Sequence, residues 1–464
     1  MGWFTRWLPC AIGTVSLSIG LSNSQSVKQE PLTRDVCIIG GGASGTYAAV
    51  RLQDLGYSVM VIERENVLGG HVNTYTDPDG DIAIDYGVED YRQNITVVET
   101  FFRRLGIAYG SFASPEGTTV RANLHNGQRV LNYTSPNVVD ALTRYSSLAA
   151  EYPALEHGYY LPDPVPEELL LPFGQFVEKY NVSGVLPVVY RSYGNILDKP
   201  TLYVMKYFGP NAILNLLSGF YGTASHNNSE IYDKAAHVLG ENILLQSQVV
   251  STNRTANGSV EVLVQTPTGL QVIQAQKLVV TIPPLLSNLK DLDLDPTEQS
   301  LFAQFQSVGY YTSLVHKTGL PADTAVLATD TTQPYNLPVL PGLYQVVPTE
   351  GSGIYQVEYG SPSPVSIEAV KSAILTSLRQ LKSTGIANGT DEPEFVEFRS
   401  HTPYMLTVPE DAIRSGFYKK LYALQGHRQT FYTGAAFHAH DSSLLWRFTE
   451  ALLPKIFSDI VASE

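Results

Sequence analysis

Cysteine is almost missing from this 464-residue chain, where Cys10 and Cys37 are the only two. They cannot build a disulfide scaffold or a thiolate zinc centre. No His-x-x-x-His or Cys-x-x-Cys pair offers another metal site, so no metal is expected. Positive charge is also short: 30 Lys and Arg face 44 Asp and Glu, for a formal net charge of -14. Such a balance repels nucleic acid and anionic membrane surfaces. Blocks of like charge, heptads, tandem repeats and low-complexity tracts are lacking, and no run after the first 24 residues resembles a membrane helix. What is present is apolar material for real cores, 44% of residues, in a chain too long for one simple domain, so two lobes are expected. The 28 Tyr and 17 Phe suit a pocket for a planar or apolar small molecule, with most of these rings serving as ordinary core.

The first segment reads as a targeting signal. Arg6 gives a positive n-region. Trp7 to Leu21 form an apolar stretch shorter than the ~20 residues that span a bilayer, and Ser22 and Ser24 are the small residues a signal peptidase reads. Residues 1–24 are therefore expected to be removed, which places the mature protein in the secretory pathway, extracellular or lumenal. Asn94, Asn132, Asn181, Asn227, Asn253, Asn257 and Asn388 each begin an N-x-S/T sequon, and behind a signal they are expected to carry N-linked glycans. Cys10 leaves with the signal, so Cys37 remains as a single mid-strand thiol, expected to be an inert core residue.

Asp35 to Ile39 reads as a buried parallel strand, followed by GGGASG, a helix from about Ser44 to Leu55, a stop at Gly56, and a second strand from Ser58 to Glu63. Thr96 and Glu99 have the spacing of a capping box for a helix ending near Leu105, with Gly106 as its stop. From about 110 to 230 the pattern is helical and irregular. Strand alternation returns between Asn242 and Thr281, with a turn at Asn257-Gly258, and a mixed segment runs from about 290 to 410. The end is strand (Thr430 to Thr433), tight loop (Gly434 to Ser442) and helix (Ser443 onward), which Pro454 is expected to kink or stop.

Gly40, Gly42 and Gly45 form G-x-G-x-x-G between strand and helix. The first glycine permits the turn, the second lets backbone approach a pyrophosphate, and the third lets helix pack on strand. The helix start, with Ser44 in it, offers unpaired N–H groups and a partial positive charge to phosphates. Glu63 ends the second strand, where a carboxylate accepts ribose hydroxyls. The whole βαβ context makes this a dinucleotide site, without choosing between nicotinamide and flavin.

The choice comes from resemblance. Glu63-Arg-Glu-Asn-Val-Leu-Gly-Gly-His71 resembles the extension after the second strand of amine-oxidase-like flavoproteins, with His71 standing where arginine is usual. Asp85-Tyr-Gly-Val-Glu89, with Gly87 at its centre, looks like the loop that passes the flavin ring. Asn242 to Val249 resembles the strand whose valine backbone pairs with adenine. Tyr432-Thr-Gly-Ala-Ala436 with Asp441-Ser-Ser-Leu-Leu445 resembles the closing flavin signature, whose helix start faces the ring. After the signal, nearly the whole chain is similar to the fungal beta-cyclopiazonate dehydrogenase group of the flavin amine oxidase superfamily. Gly69 to Tyr75, Leu171 to Phe176, Leu202 to Val204 and His438 to Ser443 carry that likeness.

This resemblance implies an α/β fold: a Rossmann-type FAD-binding lobe assembled from discontinuous segments (33–105, 229–290 and 411–464) and a mixed α+β substrate lobe (106–228 and 291–410). It implies FAD held by Gly40, Gly42, Ser44, Gly45, Glu63, Arg64, Gly69, Gly70, His71, Gly87, Val249, Gly434, Leu444 and Leu445. No cysteine lies near the closing signature, so non-covalent FAD is expected. The implied activity is a two-electron oxidation, dehydrogenation or oxidative cyclisation, of an aromatic or amine-bearing secondary metabolite. Flavin carries the redox chemistry and protein positions the substrate, so few acid–base residues are needed. His438 and His440 are candidate bases, pointing to opposite sides of an extended loop, and Phe437 is a candidate substrate contact. Lys317 sits in the region where related oxidases hold a water with lysine, but the register is loose and a plain surface lysine fits it better. Two alternatives stay open: an amine or amino-acid oxidase using dioxygen, for which Arg191 or Arg121 could take a carboxylate, and a flavin-containing binder without turnover.

Overall fold

A computed structural model describes residues 30–78, 82–112, 117–254 and 258–461; the targeting segment and Asn257 lie outside them. The first sheet is centred on β1 (Leu32–Ile39), which pairs in parallel with β2 (Val59–Ile62) on one side and with the long strand Gly269–Val280 on the other. Ile243–Leu244 extends it beyond β2, and Thr430–Tyr432 pairs in parallel with the end of Gly269–Val280. Strands from three separated stretches thus share one sheet. Its parallel centre is apolar on both faces: Val36, Cys37, Ile38 and all of β2 are buried, as expected of strands covered on both sides. The antiparallel wing, Val260–Thr266 and Gln248–Arg254, alternates instead, with Val260, Val262 and Val264 inward and Glu261 and Gln265 outward.

Helices cover both faces. Val36 and Ile38 pack against α1 (Ala43–Asp54), the helices Thr96–Leu105 and Ser229–Leu239, and the C-terminal helix Ser442–Val461. Trp446, fully buried, anchors this layer by stacking on Tyr91 and packing edge-on to Phe101. Cys37 and Ile39 face the other way, into a core built with Tyr145, Phe173, Phe176 and Leu202 from the irregular helical region.

The second sheet is mostly antiparallel, in the order Glu394–Ser400, Gln306–His316, Tyr355–Ser361, Gly342–Pro348, Thr324–Ala328, Thr118–Asn123 and Gln128–Arg129; Tyr404–Thr407 also pairs with Gln306–His316. One face is apolar: Tyr311, Val315, Val346 and Val357 meet Val370, Ile374 and Leu378 of the helix Ile367–Ser383. The opposite face carries a polar row across three strands, Thr312, Glu358 and Gln345, joined by register. Among the described residues no helix is long and apolar enough to cross a membrane.

Two local expectations change. The helix Thr96–Leu105 has Ile95 as its N-cap and no side-chain cap; Glu99 instead accepts a hydrogen bond from the Tyr221 hydroxyl at 2.8 Å, so a tertiary partner replaces the capping box. The C-terminal helix runs on through Pro454. Leu452, Leu453 and Ile456 are buried on both sides of it, and packing outweighs the hydrogen bond that proline removes.

The outer wing is tied to the end of the chain through Arg254, whose side chain is fully buried. It bonds Glu298 at 2.7 and 2.9 Å and Asp293 at 2.8 Å, and the Tyr432 hydroxyl donates to Glu298 at 2.5 Å. Arg254→Met leaves the enclosed Glu298 carboxylate with only the more distant Arg428, at 3.7 Å, so we expect a loss of up to about 3–5 kcal/mol, measured as a lower urea midpoint; an unchanged midpoint would show that the network contributes nothing.

Candidate active site

Three chain segments cross at the glycine turn. The Gly40 amide donates to the Ile62 carbonyl of β2 at 2.9 Å, and Thr281, just past Gly269–Val280, donates its amide and its hydroxyl to the Ile39 carbonyl, each at 3.0 Å. A Cβ at Gly45 would stand 1.9 Å from the Gly40 carbonyl oxygen, and one at Gly434 2.8 Å from the Thr281 carbonyl oxygen; Gly42 and Gly70 face each other so closely that a Cβ at Gly70 would lie 3.0 Å from the Gly42 Cα. Side chains are excluded by contact here.

α1 starts from Gly42 with no side-chain cap and no acidic residue in its first turn, so its leading amides keep their partial positive charge for an anion. The Ser44 hydroxyl is buried and has no partner among the described residues, a group that costs about 1–3 kcal/mol unless a ligand meets it. Together these features fit a dinucleotide pyrophosphate. Glu63 braces the turn: its Oε2 accepts from the Gly41 amide at 2.6 Å and its Oε1 from the Glu65 amide at 2.9 Å. Each oxygen keeps a second lone pair for a ribose hydroxyl.

The other cofactor-side residues spread around this turn. Gly69 donates to the Gly41 carbonyl at 2.9 Å, and Gly87 lies against the backbone of His71 and Asn73. Val249 is half-buried opposite Val264, next to a bulge. Arg64 is 75% exposed and pairs with Glu65 at 3.2 Å. At the closing loop Asp441 caps the C-terminal helix: its Oδ1 accepts from the Leu444 amide at 3.0 Å and its carbonyl from Leu445 at 2.9 Å. Those two amides are therefore engaged, and the donors that a helix start cannot satisfy internally are those of Ser442 and Ser443. Arg92 clamps this cap, with Nε on Asp441 at 2.6 Å, its other arm on the Tyr207 carbonyl at 2.8 Å, and its own amide on the Ser443 hydroxyl at 2.9 Å.

The two candidate histidines do point to opposite sides, into different environments. The Lys206 Nζ lies 2.5 Å from His438 Nδ1, and His438 Nε2 lies 3.1 Å from the Glu156 carbonyl, so both ring nitrogens are engaged. His440 accepts the Met405 amide at Nε2, 2.9 Å away, which fixes the tautomer with the proton on Nδ1. It stacks on Tyr404, with centroids 3.8 Å apart, and faces His71 at 6.0 Å; His71 in turn stacks on His401 at 4.3 Å. Burial holds His438, His401 and His440 well below the ordinary imidazole range and lowers His71 to about 4, so these rings are neutral at physiological pH. Phe437, expected at the substrate, is 1% exposed and packs between Tyr422 and Tyr432, because the short helical turn Ala435–Phe437 rotates it into the core. Lys317 is a surface residue, paired with Glu394 at 2.8 Å. Among the described residues no cluster of His, Cys, Asp or Glu is arranged to hold a metal.

Reasoning from sequence missed one group. Glu89 and Asp90 are exposed to solvent-sized space, yet desolvation by surrounding protein is the main cause that raises Glu89 to about 7 and Asp90 to about 6. A side chain that is both accessible and desolvated stands in a cleft, where solvent reaches it from one side and protein crowds it from the others. Arg191, 41% exposed and bonded to Glu358 at 3.2 Å, and the half-buried Tyr310 and Tyr207 share this character. Tyr310 contacts both Tyr404 and His401, at 4.8 and 5.9 Å. The rings therefore run without a break from His71, beside the glycine pair, to the polar face of the second sheet. The Thr312 hydroxyl of that face donates to the Tyr86 carbonyl at 2.6 Å.

Comparison with known proteins agrees with this architecture. Residues 38–105 match the NAD(P)-binding Rossmann-like domain family. The FAD-dependent oxidoreductase oblC of Cochliobolus heterostrophus is 39% identical, covering 98% of this chain and 97% of its own. Beta-cyclopiazonate dehydrogenase of Aspergillus oryzae is 35% identical over 93% of this chain and 94% of its own. In fold, the chain is similar to a fatty acid isomerase of P. acnes (TM-score 0.75, 18% identity, 91% of this chain and 99% of that one) and to a putrescine oxidase (TM-score 0.64, 16% identity, 93% and 100%).

The cleft carboxyls give a pH dependence with a definite sign. Desolvation, then Glu358, raises Glu89, while Gln356 and Arg191 oppose the shift. The folded state thus holds a proton between about 4.5 and about 7 that the unfolded chain has released, and the ionised form costs stability as pH rises through that window. Glu89→Gln should melt close to the wild type at pH 4.5 and progressively above it by pH 7.5. Parallel melting curves across that range would contradict the shift.

Proposed function

Because the chain belongs to the family of fungal FAD-dependent oxidoreductases that includes beta-cyclopiazonate dehydrogenase, we propose that it oxidises an aromatic or amine-bearing secondary metabolite by two electrons, in a dehydrogenation or an oxidative cyclisation. The observation that carries this reading is the unbroken run of rings from His71, beside the glycine pair, through His401 and Tyr404 to Tyr310 on the polar face of the second sheet. FAD, when bound, supplies the two-electron acceptor. The glycine turn, the Ser44 hydroxyl and the start of α1 suit its pyrophosphate, Glu63 its ribose, and the Ser442 and Ser443 amides a site of negative charge. Tyr310 and Tyr404 offer faces on which a planar substrate can be oriented, and the enclosed rings keep water from the reacting bond.

His438 and His440 have their basic nitrogens engaged, which supports hydride loss without an imidazole base. Arg191 commits its charge to Glu358 at 3.2 Å and stands beside Glu89, whose carboxyl repels a substrate carboxylate, which weighs against an amino-acid oxidase. Non-covalent binding of FAD is supported by Cys37, which is fully buried and whose thiol burial pushes up to about 12. The polar row and the parallel centre of the first sheet support the division into a substrate lobe and a cofactor lobe. Passage through the secretory pathway is supported by the exposed side chains of Asn94, Asn132, Asn181, Asn253 and Asn388; Asn227 is half-buried, with its side-chain oxygen enclosed, and is the poorest acceptor.

Stopped-flow reduction of the FAD-loaded protein under anaerobic conditions, with metabolite fractions as reductant, tests the reaction; failure of every fraction to bleach the flavin would favour a binder without turnover. His438→Gln and His440→Gln should reduce at rates within a few-fold of wild type, whereas a loss of ~10²–10⁴-fold would restore a histidine as base. Acid precipitation should leave the flavin in the supernatant, and the secreted protein should begin near Gln25 and lose mass on removal of N-linked glycans.

A further inference from the structure

The polar row of the second sheet is out of place as structure. Thr312, Glu358 and Gln345 stand side by side on the face opposite an apolar core, and all three are buried. A sheet face covered by protein is ordinarily apolar, since polar groups cost free energy when withdrawn from water. Here each one is answered. Glu358 accepts from Arg191 at 3.2 Å and from Gln345 at 2.9 Å, and Thr312 donates to Tyr86. Gln356, two residues before Glu358 on the same strand and so on the same face, donates to Glu89 Oε1 at 2.5 Å.

One group is left over. Arg191 neutralises Glu358, and Gln356 orients Glu89 without neutralising it, so Glu89 Oε2 has no partner among the described residues. Around it, Glu358 and Asp90 add negative charge and Arg191 is the cation that opposes them; Tyr310, two residues before Thr312 on the same strand, puts an aromatic ring on this face of the sheet. An oriented carboxyl with one open oxygen, reached from the cleft and bordered by an acidic excess, is a receptor for a cation of hydrogen-bonding shape.

We propose that Glu89 is the specificity-determining contact for a protonated amine on the substrate, with Gln356 fixing the carboxyl and the Glu358–Arg191 pair closing the subsite behind it. The inference rests on the substrate class proposed above. It adds that the nitrogen, not an aromatic or carbonyl part, is what the second sheet holds, and that an anionic ligand is rejected there.

The test uses the FAD-loaded full chain and three probes that differ in one group: 2-phenylethylamine, 2-phenylethanol and phenylacetate, with affinities measured by anaerobic titration calorimetry at pH 8. The wild type should bind the amine at least about tenfold more tightly than the alcohol and not bind the acid. Glu89→Gln, which keeps the shape and the Gln356 contact, should lose about tenfold or more for the amine and change little for the alcohol; Glu89→Asp should keep the amine preference. Equal amine affinity in wild type and Glu89→Gln, no amine binding by the wild type, or a preference for phenylacetate would each overturn the assignment. Amine binding through Glu89 in a protein whose flavin no metabolite reduces would retain this subsite and remove the reaction. Flavin reduction with no dependence on Glu89 would do the reverse.

Discussion

Everything in this molecule is arranged around a point where backbone must touch backbone. Gly45 lies on the Gly40 carbonyl, Gly434 on the Thr281 carbonyl, and Gly42 on Gly70. The first and last of these contacts lie within the N-terminal unit, while Thr281 and Gly434 come from stretches hundreds of residues further on, and a single methyl group at the tightest of the contacts would overlap a carbonyl oxygen. The contact brings the starts of two helices to one place with their leading amides free, since α1 has no side-chain cap and Asp441 occupies only the third and fourth amides of the C-terminal helix. With no side-chain cap on α1 and two amides of the C-terminal helix left open beside Asp441, this crossing is shaped to receive an anionic ligand.

Much of that crossing was legible in the chain. G-x-G-x-x-G between two apolar strands is a local pattern with a local cause, and the closing Tyr432 to Leu445 stretch repeats the strand, glycine, helix order. What was not legible depends on partners distant in sequence. Glu99 has the spacing of a capping box, but Tyr221 takes its carboxylate. Phe437 looks like a loop aromatic facing a ligand, but a tight turn puts it in the core. His438 and His440 are free imidazoles on paper, and only Lys206, Glu156 and Met405 show that their nitrogens are engaged. The hardest case is Gln356-Val357-Glu358. Alternation there reads as one buried face and one solvent face, whereas the polar face is turned inward against the loop at Tyr86 to Glu89.

The cleft also shows how the protein keeps many polar rings together without charge. His71 lies within stacking distance of His401, His440 and Tyr404, and His440 stacks on Tyr404. Protonation of any of them would place a cation beside neutral neighbours in a poorly solvated space. The hydrogen bonds from the Met405 amide to His440 and from His401 to Asn73 hold single tautomers, so the rings act as a wall of fixed dipoles rather than as proton carriers. The titrating groups lie beyond them, at Glu89 and Asp90, whose side chains remain exposed.

The packing of the C-terminal helix on α1 sets an order of events in time. Tyr47 and Arg51 of α1 bond Glu450, and Trp446 donates to the Ala43 carbonyl, contacts that span about 400 positions, 403 in the case of Tyr47 and Glu450. At the 5–20 residues per second of translation, roughly 20–80 s separate the synthesis of one partner from that of the other. Through that interval the dinucleotide turn and the apolar face of α1 exist without the segment that covers them. The cradle therefore closes long after its own turn is made, and a chain cut short before residue 442 carries a dinucleotide turn that is still open.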